Sequence, residues 1–337
     1  MPEIRYNFLK DTYVIFSTER AKRPHDYFRE PEAEIGIVEK CPFEYGNESK
    51  TPPEVFAVRE NGSLPDTPGW KIRVVPNKYP ALKPEGNFLE KQEGLFKKFT
   101  GYGYHEIIIE TPDHFKQIYN FSVEEIKLLF VAVKNRFNEI SKDKNIKYIQ
   151  YFKNYGKEAG CSLFHSHSQI IAVPLIPKEI TTKLHQLKEF HKKSKSCYIC
   201  EEINFELKEN KRIVYENEYF IAYCPYASIF PFEIRIIPKR HTGSFENIDD
   251  IEIIYLSEIT KIITQKLYKT LNNPAFNMTL YTSPVNTDIE HVDKFNHWYI
   301  EILPRVNIIA GFELGTGWCI NTTYPEDASK FLKESDI

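Results

Sequence analysis

HSHSQIIAVP, residues 165–174, sets two histidines and a glutamine at alternate positions ahead of an apolar run that stops at a proline. Side chains of an extended strand alternate between faces, so His165, His167, Gln169 and Ile171 share one face and Ser166, Ser168 and Ile170 the other. A neutral imidazole can attack phosphorus and form a covalent phosphoramidate, dividing one displacement into two. A glutamine beside it can donate to a nonbridging oxygen without adding a titratable group. The loop just upstream, NYGKEAGCS at 154–162, offers backbone N–H groups and Ser162 to the same phosphate. ERAKRP at 19–24 offers Arg20 and Arg23 as a clamp on the remaining charge. The same alternation would equally suit the exposed face of an edge strand, so the row alone does not make a catalytic site.

Outward from that stretch, the chain carries two copies of one plan. The first half runs through KCPFEYGNE (40–48), a strand IRVV ending in PNKYPAL (76–82), and YHEIIIETPDH (104–114). A helix follows, capped by Ser122 with Glu125 closing the box, its apolar stripe made by Ile126, Leu129, Val133, Phe137 and Ile140. The strand YIQYF and the loop then lead into the histidine row. After a polar helix-like segment, the second half reads CYIC (197–200), EYFIAYCPYA, FEIRIIPKRH (232–241), a helix from about Asp249 to Leu271, and FNHWYIEILP (295–304). His114 lies eight residues after Glu106 and eight before Ser122, and His241 stands in the same relation to Glu233 and Asp249. Superposing Pro174 on Pro304 sets His167 on His297 and Gln169 on Tyr299. These coincidences predict a duplicated α+β fold, each unit an antiparallel sheet with a packed helix, with domains at 1–180 and 195–337.

Composition limits the function classes. The 337 residues are 42% hydrophobic and 14% aromatic, enough to bury real cores. Lys+Arg 44 against Asp+Glu 47 gives a net charge of −3, with no long basic block to release counterions from a polyphosphate backbone, so nucleic acid is not an expected partner. Neither a signal-peptide core nor a membrane-length apolar run is present, and the expected location is the cytoplasm.

The six cysteines, in a chain too large to need disulfide staples, point to metal ligation or plain packing. Cys197 and Cys200 have the C-x-x-C spacing of half a zinc site, which His241 and His297 could complete. In the first half the corresponding turn reads Cys41-Pro-Phe-Glu44, so Cys41, Glu44, His114 and His165 form a second potential set with a carboxylate in place of one thiolate. His105 and His291 have only ordinary surface or packing readings.

Taken together, CPFEYGNE, RAKRP, PNKYPAL, HEIIIETPDH, AGCSLFHSHSQ, PKRH and GFELGTGWCIN…PEDA resemble the galactose-1-phosphate uridylyltransferase family of the histidine-triad superfamily, whose relatives include ADP-glucose phosphorylase. The resemblance runs in order from about Arg5 to about Leu332. It implies two tandem histidine-triad-like domains, each an antiparallel half-barrel with packed helices, assembled as a homodimer and working by ping-pong through a nucleotidyl-histidine. On the family's H-P-H-x-Q motif the nucleophile falls on His167, the glutamine on Gln169 and a zinc ligand on His165, in company with His114. Asn154 and Ser162 match phosphate-contacting loop residues. Arg20, Arg23 and Asn77 match positions near the bound substrate, and Glu313 matches a glutamate that receives sugar hydroxyls. Relatives with a second metal hold it at the positions of Cys197, Cys200, His241 and His297. The resemblance therefore implies one or two zinc ions per chain, with a nucleotide sugar and a sugar 1-phosphate as partners. Ser166 stands where the family has proline, and Glu44 where it has a second cysteine. The reaction implied moves UMP between UDP-glucose and galactose 1-phosphate. The alternatives are an ADP-glucose phosphorylase or adenylyltransferase, and a zinc-stabilised nucleotide-binding protein without turnover.

Overall fold

A computed structural model describes residues 2–19 and 38–337. Arg20 and Arg23 lie outside the described residues. In chain order the strands are β1 (Glu3–Asn7), β2 (Thr12–Phe16), β3 (Phe56–Arg59), β4 (Trp70–Pro76), β5 (Glu90–Glu93), β6 (Phe96–Phe99), β7 (Tyr104–Ile109), β8 (Tyr148–Tyr155) and β9 (His167–Val173) in the first half. The second half adds β10 (Ile213–Glu216), β11 (Phe220–Tyr223), β12 (Ile234–Pro238), β13 (Phe276–Tyr281), β14 (Tyr299–Pro304) and β15 (Cys319–Asn321). The helices are α1 (Val123–Ile140), α2 (Lys178–Ser194), α3 (Tyr198–Glu209), α4 (Asp250–Thr270), α5 (Val292–Phe295), α6 (Gly311–Thr316) and α7 (Pro325–Glu334).

The two long helices begin where the capping boxes predict. The Ser122 hydroxyl accepts the Glu125 N–H at 3.2 Å while the Glu125 carboxylate accepts the Ser122 N–H at 2.8 Å. Asp249 and Glu252 make the same exchange at 2.8 and 3.0 Å. Two otherwise orphaned donors are satisfied at each helix start. The α1 stripe of Ile126, Leu129, Val133, Phe137 and Ile140 is fully buried, each side chain contributing roughly 1.5–3 kcal/mol of burial as an upper estimate.

A ten-stranded sheet has the order β10-β11-β12-β14-β13-β8-β9-β7-β4-β3. Read outward from its centre, β8-β9-β7-β4-β3 repeats as β13-β14-β12-β11-β10, with α1 and α4 in matching positions between their strands. The duplication is therefore real in topology, and the α+β class holds. The two sheets are joined rather than separate, since β13 pairs antiparallel with β8 and sets Asn277 opposite Asn154. Both long helices lie on one face and pack on each other, with Phe137, Phe245 and Trp298 in edge-on contact within a core that spans both halves. The chain ends also cross over. The β1–β2 hairpin pairs with β15, and Arg5 binds the Glu326 carboxylate at 3.1 Å and the Tyr226 carbonyl at 2.9 Å, so residues 3–16 pack with the second half.

The superposition of Pro174 on Pro304 is corrected by the strands themselves. β9 begins at His167 and β14 at Tyr299, which sets His165 on His297, His167 on Tyr299 and Gln169 on Glu301. Pro304 is the last residue of its strand whereas Pro174 lies beyond the end of β9, so the prolines mark different register positions. Among the described residues, no helix is long and apolar enough to cross a membrane.

Candidate functional site

On β9, Ile170 and Ala172 enter the core beneath α1, so His167, Gln169 and Ile171 face the other way, as alternation requires. His167 is 6% exposed. Its Nδ1–H donates to the main-chain carbonyl of His165 at 2.8 Å, since a carbonyl can only accept. The ring's other nitrogen, Nε2, keeps its lone pair. Burial pushes the His167 pKa below its ordinary value, and the nearby Lys153 ammonium pushes the same way, so the neutral tautomer is the resting form. Phe43 packs against the ring with centroids 5.2 Å apart.

Behind the start of β9 lies a buried pair that the sequence pattern does not reveal. Lys153 Nζ donates to Glu110 Oε2 at 2.6 Å, to Ser166 Oγ at 3.0 Å and to the His167 carbonyl at 3.0 Å. Ser166 Oγ in turn donates to Glu110 at 2.7 Å, and the Glu110 N–H donates to the Ser166 carbonyl at 3.2 Å. Lysine and glutamate are each at most 2% exposed. Ser166 thus gives the strand hydrogen bonds where a proline would give a fixed φ. Glu110 and Lys153 carry no local signal, because their partnership exists only across strands.

His105 is hydrogen-bonded to the candidate residues. Its Nε2 is 2.8 Å from Gln169 Oε1 and 3.1 Å from Asn77 Nδ2, and its Nδ1 accepts the Ala81 N–H at 3.1 Å. The PNKYPAL turn is thereby tied to β7 and β9, and Asn77 is brought beside Gln169. Asn154, at the end of β8, receives a hydrogen bond from Asn277 Nδ2 at 2.9 Å. Its loop turns at Gly156, whose φ of +80° suits glycine, and a Cβ there would fall 2.6 Å from Ala275 Cβ. Ser162 is exposed in the same loop. Glu313 is not joined to this cluster: it sits on α6, which packs on β15, and accepts the Ala310 N–H. His291, at the N-cap of the short α5, keeps its surface reading.

Two groups of potential metal ligands gather where the sequence spacing placed them. Cys197, Cys200, His241 and His297 have ligand atoms within 4.8 Å of one another. Cys200 Sγ lies 3.3 Å from His241 Nδ1 and 3.6 Å from His297 Nδ1, while the Nε2 atoms donate to the carbonyls of Asp293 and Pro238 at 2.6 and 2.9 Å. Both imidazoles thus present a lone pair to the thiols, in the orientation that a carbonyl accepting from the far nitrogen gives metal-bound histidines. A hydrogen bond from Cys200, with further ones from His241 and His297, holds the Cys197 thiol well below its ordinary pKa. In the first half, Cys41, His114 and His165 converge in the same way. Glu44, expected as the fourth ligand, stands beside the two histidines, its Oε2 2.8 Å from His114 Nδ1 and 3.8 Å from His165 Nδ1, but falls outside the group whose ligand atoms all lie within 4.8 Å of one another. His165 Nε2 donates to the Thr111 carbonyl at 2.7 Å, and burial lowers the ring's pKa, so Nδ1 is available. Here burial raises the Cys41 thiol, so this group has less thiolate character than the other.

Among the described residues, the second half holds no equivalent of His167. Tyr299, in the place of His167, is buried and stacked on Tyr281 at 4.8 Å. Glu301, in the place of Gln169, is neutralised by Lys10 at 2.9 Å and Arg235 at 3.1 Å. Residues of α2 and α3, among them Leu184, Leu187, Ile199 and Ile203, share a core with Tyr299 on that face.

Comparison with known proteins places this arrangement. Residues 1–177 match the N-terminal domain of galactose-1-phosphate uridyl transferase and residues 148–332 match its C-terminal domain. The chain belongs to the galactose-1-phosphate uridylyltransferase family. Among its relatives, ADP-glucose phosphorylase of Arabidopsis thaliana is 35% identical over 100% of this chain and 93% of that protein. Galactose-1-phosphate uridylyltransferase of Thermotoga maritima is 31% identical over 100% of this chain and 99% of that protein. The crystal structure of the Arabidopsis thaliana phosphorylase with bound ADP-glucose superposes with a TM-score of 0.85 at 34% identity, covering both chains completely. A uridylyltransferase structure superposes at 0.74 and 26% identity, over 99% of this chain and 97% of that one. The protein is a uridylyltransferase-like nucleotidyltransferase within that family.

Proposed function

We propose that the protein moves UMP between UDP-glucose and galactose 1-phosphate through a covalent intermediate on His167. The observation that carries this reading is the tautomer of His167: Nδ1–H is committed to the His165 carbonyl, leaving a buried, uncharged ring with Nε2 as its nucleophilic atom. In the first step the Nε2 lone pair bonds to the α-phosphorus of the nucleotide sugar. The bond from that phosphorus to the bridging oxygen breaks, and hexose 1-phosphate leaves with the electron pair. The phosphorylated ring is cationic, and its Nδ1–H bond to a carbonyl oxygen stabilises that charge. A phosphate oxygen of the acceptor then attacks the same phosphorus and returns the electron pair to Nε2, so no net proton transfer is needed. The Gln169 and Asn154 amides and Ser162 are proposed to donate to the phosphate oxygens, and Asn77, Arg20 and Arg23 to line the donor.

Zinc is proposed at both ligand groups. Cys197, Cys200, His241 and His297 fit it best, with two thiols facing two imidazoles oriented by carbonyls. Cys41, Glu44, His114 and His165 would hold a second ion, which would clamp His165 two residues from the nucleophile and confer rigidity rather than chemistry. A homodimer is proposed as well. Glu313 lies on a surface segment whose Ile308 and Leu314 are 75% and 79% exposed, suited to placement against a second copy. All six cysteines are free of disulfides, in keeping with a cytoplasmic site of action.

One observation favours a second reading, in which ADP-glucose is the donor and phosphate the acceptor: the Arabidopsis thaliana phosphorylase matches this chain at 35% identity, against 31% for the Thermotoga maritima uridylyltransferase. The test incubates the protein with α-labelled UDP-glucose or ADP-glucose without acceptor. Covalent label on the parent and none on His167→Gly is expected. Label on both, or on neither, rejects the nucleophile, and the second result would leave a nucleotide-binding protein without turnover. Discharge by galactose 1-phosphate or by inorganic phosphate then separates the two readings.

A further inference from the structure

An amide side chain has a donor end and an acceptor end of nearly the same shape, and only the NH2 end can serve a phosphate oxygen. For Gln169 and Asn154, the fold decides which end faces the substrate. The Ala81 N–H donates to Nδ1 of His105, so that nitrogen carries no hydrogen and the ring's single hydrogen is on Nε2. That hydrogen meets Gln169 Oε1 at 2.8 Å. Asn77 Nδ2 lies 3.1 Å from the same nitrogen, its own amide turned by the Tyr79 N–H that Oδ1 accepts at 2.9 Å; with the ring hydrogen on Nε2 this is a contact between two donors, and the Nε2 hydrogen goes to Gln169. At the joint between the halves, Asn277 Nδ2 donates to Asn154 Oδ1 at 2.9 Å and to the Ala159 carbonyl at 2.9 Å. Both hydrogens of Asn277 are thereby used. Turning its amide around would set Asn277 Oδ1 against the Ala159 carbonyl oxygen. Each phosphate-facing amide thus has its oxygen capped from behind by a donor that is itself fixed by the main chain.

We propose that His105 and Asn277 are positioning residues that lock the Gln169 and Asn154 amides with NH2 toward the substrate phosphates, Asn277 doing so from the second half of the chain. The inference rests on the reading of Gln169 and Asn154 as phosphate donors. Reversing such an amide removes a donor and places an oxygen against an anion. Loss of one preorganised donor of this kind lowers rates by about 10²–10³-fold.

The test compares His105→Glu with His105→Gln, two side chains of the same length. Glutamine can still donate to Gln169 Oε1, whereas an ionised glutamate can only accept and draws the Gln169 NH2 away from the phosphate. Two readouts are taken on variants whose melting temperature confirms folding: the single-turnover rate of labelling from α-labelled UDP-glucose and ADP-glucose, and calorimetric affinity for the unreactive probe ADP. The expected result for His105→Glu is a roughly 10²-fold or larger loss of labelling rate and weaker ADP binding, with His105→Gln restoring both to within about tenfold of the parent. Asn277→Asp, accept-only at the other amide, is expected to act in the same direction. Equal behaviour of the glutamate and glutamine variants, whether both active or both impaired, overturns the inference, because shape alone would then explain His105. A parent that binds ADP but takes no label refutes the proposed function instead, and the ADP affinities of the two variants still decide this one.

Discussion

Lys153→Met is the substitution with the largest consequence that the structure allows to be worked out. Lys153 and Glu110 lie 2.6 Å apart with side chains 1% and 0% exposed, an attraction of about 6 kcal/mol at an effective dielectric near 20. Methionine fills nearly the same volume, so cavity formation is minor and the dominant cost is a buried carboxylate left without its cation, about 3–5 kcal/mol. The bonds to Ser166 Oγ and the His167 carbonyl, about 1.5–3 kcal/mol each for a charged donor, are lost in the same step and are part of that cost. Urea unfolding followed by tryptophan fluorescence, with metal content held equal, is expected to show that loss. Adding Glu110→Gln is expected to recover most of it, leaving the double variant within about 1–2 kcal/mol of the parent, because the uncompensated charge is gone and the amide can still accept from Ser166. A single variant that loses less than about 1 kcal/mol, or a double variant no better than the single, would refute the reasoning.

Three further outcomes are expected. Lys183 is buried without a hydrogen-bond acceptor, between the Tyr281 and Tyr299 rings at 5.0 Å each, and burial lowers its pKa from 10.5 to about 7. That shift corresponds to roughly 4–5 kcal/mol, of which the ring faces return only about 0.5–2. Between pH 7 and 10.5 the unfolded chain binds the extra proton, so this group makes stability rise with pH; Lys183→Met should exceed the parent at pH 7, with a gap that narrows toward pH 10 in parallel denaturation curves, and a gap constant with pH would contradict this. Elemental analysis of Cys200→Ser is expected to show one zinc per chain fewer than the parent, and Glu44→Ala a loss confined to the other group; unchanged zinc in Cys200→Ser would remove the stronger metal assignment. Tyr299→His placed in a His167→Gly background is expected to take no label, because that position is buried under α2 and α3; labelling would show that the second half retains a usable site.

Elements whose cause lies within a few residues were legible in the chain. The Ser122 and Asp249 caps, the α1 stripe and the alternation of His167 and Gln169 all appear where local rules put them. The potential ligand groups were legible in part, because C-x-x-C at 197–200 and Cys41 in the corresponding turn leave a spacing signature, although convergence with distant histidines had to be shown in space. The register between the halves was not legible. Pro174 and Pro304 look equivalent along the chain, and only the strand starts at His167 and Tyr299 show the offset of two residues.

The sequence by itself determined the chemistry on offer: a histidine and an amide on one strand face, two ligand sets and a repeated plan, since these depend on residue types and short-range periodicity. The tertiary structure alone decided that the two sheets are one, that Lys153 and Glu110 neutralise each other behind His167, and that His105 and Asn277 reach the amides. The reason is physical. Strand periodicity is imposed by the backbone of neighbouring residues, but a cross-strand hydrogen bond joins groups whose separation along the chain, 43 residues for Lys153 and Glu110 and 123 for Asn277 and Asn154, carries no trace of their distance in space.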